Sequence, residues 1–272
     1  MAGGVSATLQ PLDALTAAQV RGLRGVFCDI DDTLTVDGEI VPAAFLALHQ
    51  LRDAGLHVVP ITGRPGGWVD HIARMWPVAG VVGENGGLWF YRHEGQMIRS
   101  YAQSADERAT NRARLDALAS SILDAVPGTA LASDQSYRDL DLAIDFCEDV
   151  PPLPRADVLR IAAAFEAAGA TCKVSSIHVN GWYGSFDKLS GCRAFLRERF
   201  DAGLDDETDR WAFVGDSAND EPMFAHFPLS VGVANVREQL ELMAAWPRFV
   251  SQGEGGHGFA EFAQRLLQLR AG

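Results

Sequence analysis

A short apolar run that ends in closely spaced acids constrains this chain more than any other feature. Residues 25–28 (Gly-Val-Phe-Cys) are rich in strand formers and predict a buried strand. Asp29, Asp31 and Asp32 follow at once. Because side chains at i and i+2 of an extended segment point the same way, Asp29 and Asp31 would project together from the carboxyl end of that strand.

Two carboxylates that lie so close need a physical reason to coexist. Like charges at this spacing are unfavourable unless a cation lies between them or one of them holds a proton. In an open α/β sheet, the carboxyl ends of the strands are also where ligands bind. The pair therefore favours a functional site, and an acidic turn that caps the next element remains the alternative at this point.

The order of strands and helices predicts the fold class. Apolar strands at residues 25–28, 56–61 and 79–82 alternate with helical segments through short links. The alternation returns with strands at 211–214 and 229–233, followed by helices predicted to start at Val236 and Phe259. Such alternation is typical of an α/β protein with a doubly wound, Rossmann-like parallel sheet.

The middle of the chain has a different character. A hairpin is predicted at residues 88–101, and strands with one polar face are predicted at 139–146 and 173–182, with helices between them. This pattern predicts an inserted α+β domain, here called the cap. We expect a discontinuous core at residues 1–85 and 187–272, and the cap at residues 86–186.

The charge balance excludes one class of partner. The chain carries a formal charge of −13 without a basic cluster, whereas nucleic-acid phosphates are bound by concentrated Lys and Arg. No apolar run reaches the roughly 18 residues of a membrane span. Residues 1–6 lack the features of a signal peptide and are expected to be a short lead-in, and the four cysteines are scattered. We expect a cytoplasmic protein without nucleic-acid or membrane partners, and the oligomeric state is left open.

Further polar side chains stand where other predicted strands end, or directly after the cap. Carboxylates from separate segments that meet a hydroxyl and an ammonium suit a hard cation such as Mg²⁺. The same groups can neutralise a phosphoryl group during its transfer. Taken singly, Thr62 could be a turn residue and Lys188 a solvated residue at a helix start. The side chains concerned are those of Asp29, Asp31, Thr62, Lys188, Asp216, Asn219 and Asp220, with Gly63 beside Thr62.

This set resembles the four signature motifs of the haloacid dehalogenase-like phosphatase superfamily, in the order in which that superfamily carries them. The cap between the second and third motifs resembles that of the group containing trehalose-, sucrose- and mannosyl-phosphoglycerate phosphatases and phosphomannomutase. Residues 84–87 (Glu-Asn-Gly-Gly) match the link into that cap. The motifs stand here as Asp29-Ile30-Asp31-Asp32-Thr33, Ile61-Thr62-Gly63-Arg64, Lys188, and Gly215-Asp216-Ser217-Ala218-Asn219-Asp220.

The resemblance implies a role for each motif residue. Asp29 would be the nucleophile, and Asp31 the general acid and base. Mg²⁺ would be held by Asp29, the backbone carbonyl of Asp31, and Asp216, with Asp220 close by or behind them. The residues implied to bind the phosphoryl group are Thr62, Gly63, Lys188 and Asn219.

The resemblance also implies that the cap selects the leaving group while excluding water. Short polar side chains suit hydroxyl-rich ligands such as sugars. The same residues could merely solvate an exposed sheet, and Arg64 could equally pair with a neighbouring loop. The candidate substrate residues are Arg64, Asn85, Arg138, Asp145, His178 and Asn180, and Asp141 and Ser176 belong to the same polar face.

The resulting hypothesis is a Mg²⁺-dependent phosphatase that hydrolyses a small phosphorylated metabolite through an aspartyl-phosphate. A sugar phosphate is the favoured substrate. A phosphomutase or phosphotransferase on the same scaffold is the main alternative, although the polar face of the cap offers only Arg138 and Lys173 for a second phosphate. A phospho-accepting signalling module fits less well, because such a module has no comparable insert. A chain that has lost catalysis also fits less well, because the motif residues are intact.

Overall fold

Six parallel strands form the central sheet of the computed structural model, which describes residues 9–175 and 177–272. The lead-in predicted at residues 1–6 and the cap candidate Ser176 lie outside the described residues. Among the helices described, none combines the length and apolar character needed to span a bilayer. The strands are β1 (Gln10–Pro11), β2 (Gly25–Cys28), β3 (Thr35–Val36), β4 (Glu39–Ile40), β5 (His57–Pro60), β6 (Val81–Gly83), β7 (Leu88–His93), β8 (Gln96–Tyr101), β9 (Ala130–Leu131), β10 (Leu142–Asp145), β11 (Thr171–Val174), β12 (His178–Trp182), β13 (Trp211–Gly215), β14 (Leu229–Gly232) and β15 (Phe249–Val250). The α-helices are α1 (Ala17–Val20), α2 (Pro42–Asp53), α3 (Gly66–Met75), α4 (Ala105–Ala125), α5 (Arg155–Ala167), α6 (Lys188–Phe200), α7 (Glu221–His226) and α8 (Gly255–Ala271). Short 3₁₀ helices span Leu12–Ala14, Glu84–Gly86, Gln135–Tyr137, Thr208–Arg210, Ala218–Asp220 and Ala234–Leu242.

The central sheet places strand β2 between β13 and β5. Its order is β1-β15-β14-β13-β2-β5, and every pairing in it is parallel. Alternate residues of β2 enter different apolar clusters: Val26 and Cys28 pack with helices α2 and α8, and Phe27 packs with α6 and α7. Helices therefore cover both faces, which is why β2 is buried at every residue. The predicted doubly wound α/β core is confirmed.

Antiparallel strands extend the fold beyond β5. Strand β6 is joined to the end of β5 by a parallel bridge between Ile61 and Val82, and it continues as the antiparallel sheet β6-β7-β8. In β7, Phe90 and Trp89 pack into the two apolar clusters of the central sheet. A third cluster is built from residues 115–183 alone. The division into core and cap stays a prediction, and the packing of β7 associates the hairpin with the core.

The cap contains a four-stranded sheet of order β11-β12-β10-β9, in which all pairings are antiparallel. The prediction of one strand at residues 173–182 is wrong, because β11 and β12 are two strands of a hairpin. Between them, the Ser175 hydroxyl accepts the backbone N–H groups of Ile177 at 3.3 Å and His178 at 2.9 Å. This local side-chain bonding turns the backbone and interrupts the apparent strand.

Two predicted helix starts are also wrong. Helix α8 begins at Gly255 rather than at Phe259, and residues from Ala234 form a 3₁₀ helix rather than an α-helix. A methyl group at Gly256 would lie 2.4 Å from the Leu34 carbonyl oxygen, so this position needs glycine for a close backbone approach. The low helix propensity of glycine hides the first turn of α8 in the sequence.

The fit of β2 between its neighbours can be tested at Gly25. A methyl group there would lie 2.3 Å from the His57 carbonyl oxygen and 2.4 Å from the Trp211 ring. We expect Gly25→Ala to lower the free energy of unfolding by about 2 kcal/mol through overpacking. Gly22→Ala is the control, because a methyl group there meets nothing within 4 Å, and it should leave stability unchanged or slightly higher. Urea unfolding measures both variants, and equal midpoints would contradict this packing.

Candidate active site

Three strand ends meet at one edge of the central sheet. Asp29 directly follows β2, Thr62 lies just beyond β5, and Asp216 directly follows β13. The backbone N–H of Asp29 donates to the Val214 carbonyl oxygen at 2.9 Å, and that of Thr62 donates to the Val82 carbonyl oxygen at 3.0 Å. Because β2 lies between β13 and β5, these bonds bring the three side chains to one place, at the edge where ligands bind in open α/β sheets.

Lys188 reaches this edge from the start of helix α6. Its Nζ donates to Asp29 Oδ1 and to Asp220 Oδ1, each at 2.8 Å. The helix begins here because the Asp187 carboxylate accepts the backbone N–H of Ser190 at 2.7 Å and caps it. Burial alone would lower the pKa of Lys188, but the carboxylates of Asp220 and Asp29 raise it above its usual value. The ammonium therefore stays charged between the two acids.

Asp29, Asp216 and Asp220 form a buried acidic cluster. One carboxylate oxygen of each lies within 4.8 Å of the others. Burial raises the pKa of Asp29 to about 7, and the pKa of Asp216 is raised as well, first by burial and then by the charge of Asp220. Lys188 offsets one of these negative charges, and a divalent cation would offset the rest. Hard oxygen donors in this number fit Mg²⁺.

The three acids are not equivalent within the cluster. Asp220 uses both oxygens inside the protein, since Oδ1 accepts from Lys188 and Oδ2 accepts the backbone N–H of Asp216 at 3.1 Å. Asp29 Oδ2 accepts no hydrogen bond from any residue that the structure describes. The geometry thus leaves Asp29 Oδ2 free to meet a ligand, and Asp220 holds Lys188 and the backbone of Asp216 beside it.

Two residues that the sequence reasoning assigned no role complete the cluster. Thr33 Oγ1 donates to Asp216 Oδ1 at 3.1 Å. The side-chain amide of Asn235 donates to the Asp32 carbonyl oxygen at 3.0 Å, and its oxygen accepts the backbone N–H of Gly255 at 3.1 Å. Asn235 follows strand β14, so it carries the same signal as the other site residues: a polar side chain just past a strand end.

A cavity of about 880 Å³ opens above this edge and is shared with the cap. Its size is within the range of small-molecule sites. Both parts of the chain contribute polar side chains to its wall. From the core come Asp29, Asp31, Lys188, Asp216 and Asn219, and from the cap come Arg138, Glu148, Lys173, His178 and Asn180.

Asp31 and Arg64 form an ion pair at the open side of the site. Arg64 donates to Asp31 Oδ1 through Nε at 3.1 Å and through Nη2 at 3.0 Å, and its Nη1 lies 3.4 Å from a Glu148 oxygen. The guanidinium also lies over the Trp68 ring, 4.7 Å from its centre. Arg64 therefore pairs with the loop that carries Glu148, which was one of the two roles considered for it. It also lines the cavity, so contact with a substrate stays a prediction.

The loop after β5 brings Gly63 to the cavity wall but keeps Thr62 buried. The Thr62 hydroxyl accepts the backbone N–H of Arg64 at 3.0 Å, which is the bond of a turn former. A methyl group at Gly63 would lie 3.3 Å from the Asn85 amide oxygen, so glycine keeps this loop against the link into the cap. Asn85 and Asn219 also line the cavity.

Two of the predicted cap residues make their main contacts within the protein. Arg138 is buried, lies 3.0 Å from Asp141, and donates to the Gly63 carbonyl oxygen at 3.0 Å. Asp145 is also buried, does not line the cavity, and accepts the backbone N–H groups of Cys147 and Glu148 at 2.9 and 2.8 Å. Arg138 therefore braces the loop that carries Gly63, and Asp145 holds the turn that follows β10.

The other two cap residues face the cavity. Asn180 donates from Nδ2 to Asp141 Oδ2 at 2.9 Å, which leaves its amide oxygen for a ligand. His178 Nε2 lies 2.8 Å from a Glu148 oxygen. Burial lowers the pKa of His178, although the charge of Glu148 acts in the opposite direction. These two residues remain candidates for contact with the leaving group.

Glu84 is a further residue that the sequence reasoning left without a role. It is fully buried, and its backbone has a positive φ of 45°. Its Oε1 accepts the backbone N–H groups of Gly66 and Asp139, each at 2.8 Å, and its Oε2 accepts those of Leu140 at 2.6 Å and Asp141 at 3.1 Å. Burial raises the pKa of Glu84 to about 7, against the pull of these donors. One carboxylate thus ties helix α3 to the cap segment that carries Arg138.

Comparison with known proteins points to one class. Residues 26–113 match the family described as haloacid dehalogenase-like hydrolase. The chain is 29% identical over 250 residues to a phosphoglycolate phosphatase of Pyrobaculum neutrophilum, over 90% of this chain and 96% of that protein. A solved structure of a Thermoplasma acidophilum protein aligns with a TM-score of 0.69 at 19% identity, over 91% of this chain and 99% of that one. The sucrose-phosphatase of Synechocystis sp., solved with sucrose and phosphate, aligns with a TM-score of 0.61 at 16% identity, over 90% of this chain and 98% of that one.

The motifs, the fold and these likenesses agree, and the resemblance inferred from the sequence is confirmed. Residues 26–113 are similar to the haloacid dehalogenase-like hydrolases, and the similarity to a phosphoglycolate phosphatase over 90% of this chain supports an enzyme of the phosphatase type. Its buried acidic cluster is the part of the described structure that could hold a metal ion.

The hydrogen bonds of Glu84 give a stability prediction. In Glu84→Gln, one acceptor oxygen becomes an NH₂ group that faces two backbone N–H donors, so two buried donors lose their partner. We expect a loss of about 3 kcal/mol in the free energy of unfolding. Glu166→Gln is the control, because that side chain is exposed on α5, and it should change stability little. Denaturant unfolding measures the difference, and similar stabilities of the two variants would contradict the role given to Glu84.

Proposed function

We propose that this chain is a Mg²⁺-dependent phosphatase that hydrolyses a small phosphorylated metabolite through an aspartyl-phosphate on Asp29. The observation that carries the proposal is the environment of Asp29: a buried carboxylate at a strand end, held by a lysine and flanked by two further buried acids. Such a carboxylate is oriented and charge-balanced, and those are the two needs of a nucleophile that attacks phosphorus.

Asp29 is prepared for attack by its contacts. Lys188 holds Oδ1, and Asp29 lines the cavity, so the unbonded Oδ2 is the proposed nucleophilic oxygen. Attack forms the bond between Oδ2 and phosphorus and breaks the bond between phosphorus and the leaving-group oxygen. The Lys188 ammonium and the donors of Gly63 and Asn219 would meet the phosphoryl charge, with Thr62 fixing the loop that presents Gly63.

Asp31 is placed to move protons. About a third of its side chain is exposed, at 35%, and it faces the cavity two residues beyond Asp29. As a protonated acid it would give its proton to the leaving oxygen. As a carboxylate it would then take a proton from the water that attacks phosphorus and frees Asp29. Arg64 orients this carboxyl through hydrogen bonds from Nε and Nη2 to Oδ1.

The acidic cluster would hold the cation. Asp29, the backbone carbonyl of Asp31 and Asp216 are the proposed ligands, with Asp220 behind them as the acceptor that positions Lys188 and Asp216. When bound, Mg²⁺ supplies positive charge for the phosphoryl oxygens and lowers the repulsion between them and the nucleophile. Thr33 would keep Asp216 in position through its hydrogen bond to Oδ1, and Asn235 would do so through its amide nitrogen, which lies 3.5 Å from Asp216 Oδ2.

The proposed substrate is a small phosphate ester with a polar leaving group. The cavity has room for a molecule of sugar size, and its cap wall offers the amide of Asn180 and the ring of His178. The likeness to a sucrose-phosphatase and to a phosphoglycolate phosphatase supports a small-molecule partner. Cys28, Cys172 and Cys192 are reduced thiols, which supports the cytoplasmic location expected from the sequence.

Activity tests the proposal directly. Purified protein should release phosphate from p-nitrophenyl phosphate and from phosphometabolites with Mg²⁺ and not with EDTA. Asp29→Asn should lower kcat by about 10⁴-fold or more, since it removes the nucleophile. Asp53→Asn is the matched control, because Asp53 is exposed at the end of α2 and does not line the cavity, and it should stay active. Turnover that survives EDTA or the Asp29→Asn change would contradict the mechanism.

Metal binding should appear in thermal stability as well. Mg²⁺ near a hundred times its dissociation constant should raise Tm by about 5 °C or more, because it relieves repulsion in the folded state only. Asp216→Asn should lose this response while matching or exceeding the wild-type Tm without Mg²⁺, since one buried charge is removed. Asp116→Asn, at an exposed position of α4, should keep the response. An unchanged Mg²⁺ response in Asp216→Asn would show that the cation binds elsewhere.

A further inference from the structure

The chain uses lysine at two positions only, and both line the same cavity. Its 23 basic residues are 21 arginines and the lysines Lys173 and Lys188. Lys188 belongs to the acidic cluster at the core end. Lys173 lies on β11 at the cap end, where Arg155, the first residue of α5, also lines the wall.

The other cations of this cavity are engaged by acids. Lys188 bridges two aspartates, Arg64 pairs with Asp31 and Glu148, and Arg138 lies against Asp141. In contrast, the side chains of Lys173 and Arg155 form no ion pair or hydrogen bond with any residue between 9 and 175 or 177 and 272. Both residues are exposed, so in a chain of charge −13 these two cations line the cavity with their charges available to an anionic ligand.

Neither charge stabilises the element that carries it. Arg155 opens helix α5, where a positive charge opposes the helix dipole and weakens the helix slightly. Lys173 lies directly opposite Asn180 in the antiparallel pairing of β11 and β12, so the two side chains share one face of the cap sheet. That face is the cavity wall. Val158 and Ile177 line the cavity as well, and their apolar surface strengthens any charge interaction made beside them.

We infer that the substrate carries a second anionic group, a carboxylate or a second phosphate, on its leaving group, and that Lys173 and Arg155 bind it. This inference rests on the proposed function, since it assumes that the phosphoryl group lies at Asp29. It deepens that function by giving the substrate an anionic group in addition to the phosphoryl group that is transferred. A sugar phosphate whose leaving group is uncharged would fill the cavity without using the cap cations. Lys173 and Arg155 are specificity residues in this arrangement and take no part in the chemical step.

Paired substrates of equal skeleton test the inference. 3-Phosphoglycerate and glycerol 3-phosphate differ in a carboxylate against a CH₂OH group, and fructose 1,6-bisphosphate and fructose 6-phosphate differ in one phosphate. We expect the wild-type kcat/KM to favour the anionic member of one pair by about 10-fold or more, the size of effect typical of charge-assisted contacts. The pair that shows the preference identifies the second group as carboxylate or as phosphate.

Variants then assign the preference to the two cations. Lys173→Gln and Arg155→Gln should each lower kcat/KM for the preferred anionic substrate by about 10-fold or more, mainly through KM, and change that for p-nitrophenyl phosphate less than about 2-fold. Arg160→Gln is the control, because Arg160 lies on the same helix, pairs with Asp157 and does not line the cavity.

Lys173 also allows a test that does not depend on turnover. As one of two side-chain amines, it can be followed by reductive methylation and mass spectrometry. In the Asp29→Asn variant, the preferred anionic substrate should protect the Lys173 amine from methylation. The other member of the substrate pair, which lacks the second anionic group, should not. Mg²⁺-dependent turnover of p-nitrophenyl phosphate without any anionic preference, or equal losses in the variants on neutral and anionic substrates, would overturn this inference and leave the proposed function standing. Failure to hydrolyse any phosphate ester would overturn the proposed function, and this inference with it.

Discussion

The placement of one ammonium among buried carboxylates is the interaction on which the rest of the site depends. Lys188 Nζ lies at 2.8 Å from both Asp29 and Asp220, and no step of the proposed reaction is reasonable without it. An isolated buried acid would take up a proton and lose its nucleophilic charge. Against the effect of burial, the charge of Lys188 lowers the pKa of Asp29, and Asp220 fixes the lysine while its second oxygen accepts the backbone N–H of Asp216. A single cation thus orders the nucleophile and one proposed metal ligand together.

Much of this arrangement could be predicted from the chain alone, for a simple physical reason. Asp29, Thr62 and Asp216 each follow a short apolar run, and the carboxyl ends of parallel strands meet at one edge of a sheet. Asn235 carries the same signal but stands three residues beyond its strand, and a lone Asn there is commonly a turn former. Glu84 also follows a strand directly, but its role depends on the N–H groups of Gly66 and residues 139–141, which the sequence cannot bring near it.

The cap was less predictable because its polar residues serve two purposes that look alike in a sequence. Arg138 and Asp145 alternate with apolar neighbours as Asn180 does, yet their partners lie inside the protein. Ion pairs and hydrogen bonds distinguish the residues that are engaged within the protein from those that are open to a ligand. These contacts can be identified only when distances are known. Lys173 and Arg155 were set apart by the absence of acidic partners among the described residues, a property of the fold and not of the pattern.

The sheet order has a consequence for how the protein is made. Strand β2, which carries Asp29, pairs on one side with β5 nearby in the chain, but on its other side with β13, which is synthesised only after the whole cap. Asn235 then links Asp32 to segments later still. During vectorial synthesis, the edge of β2 that pairs with β13 therefore stays unpaired, and its apolar side chains stay exposed, until the final third of the chain emerges. The catalytic edge closes last, so a shortened chain would display its hydrophobic strands without gaining any activity.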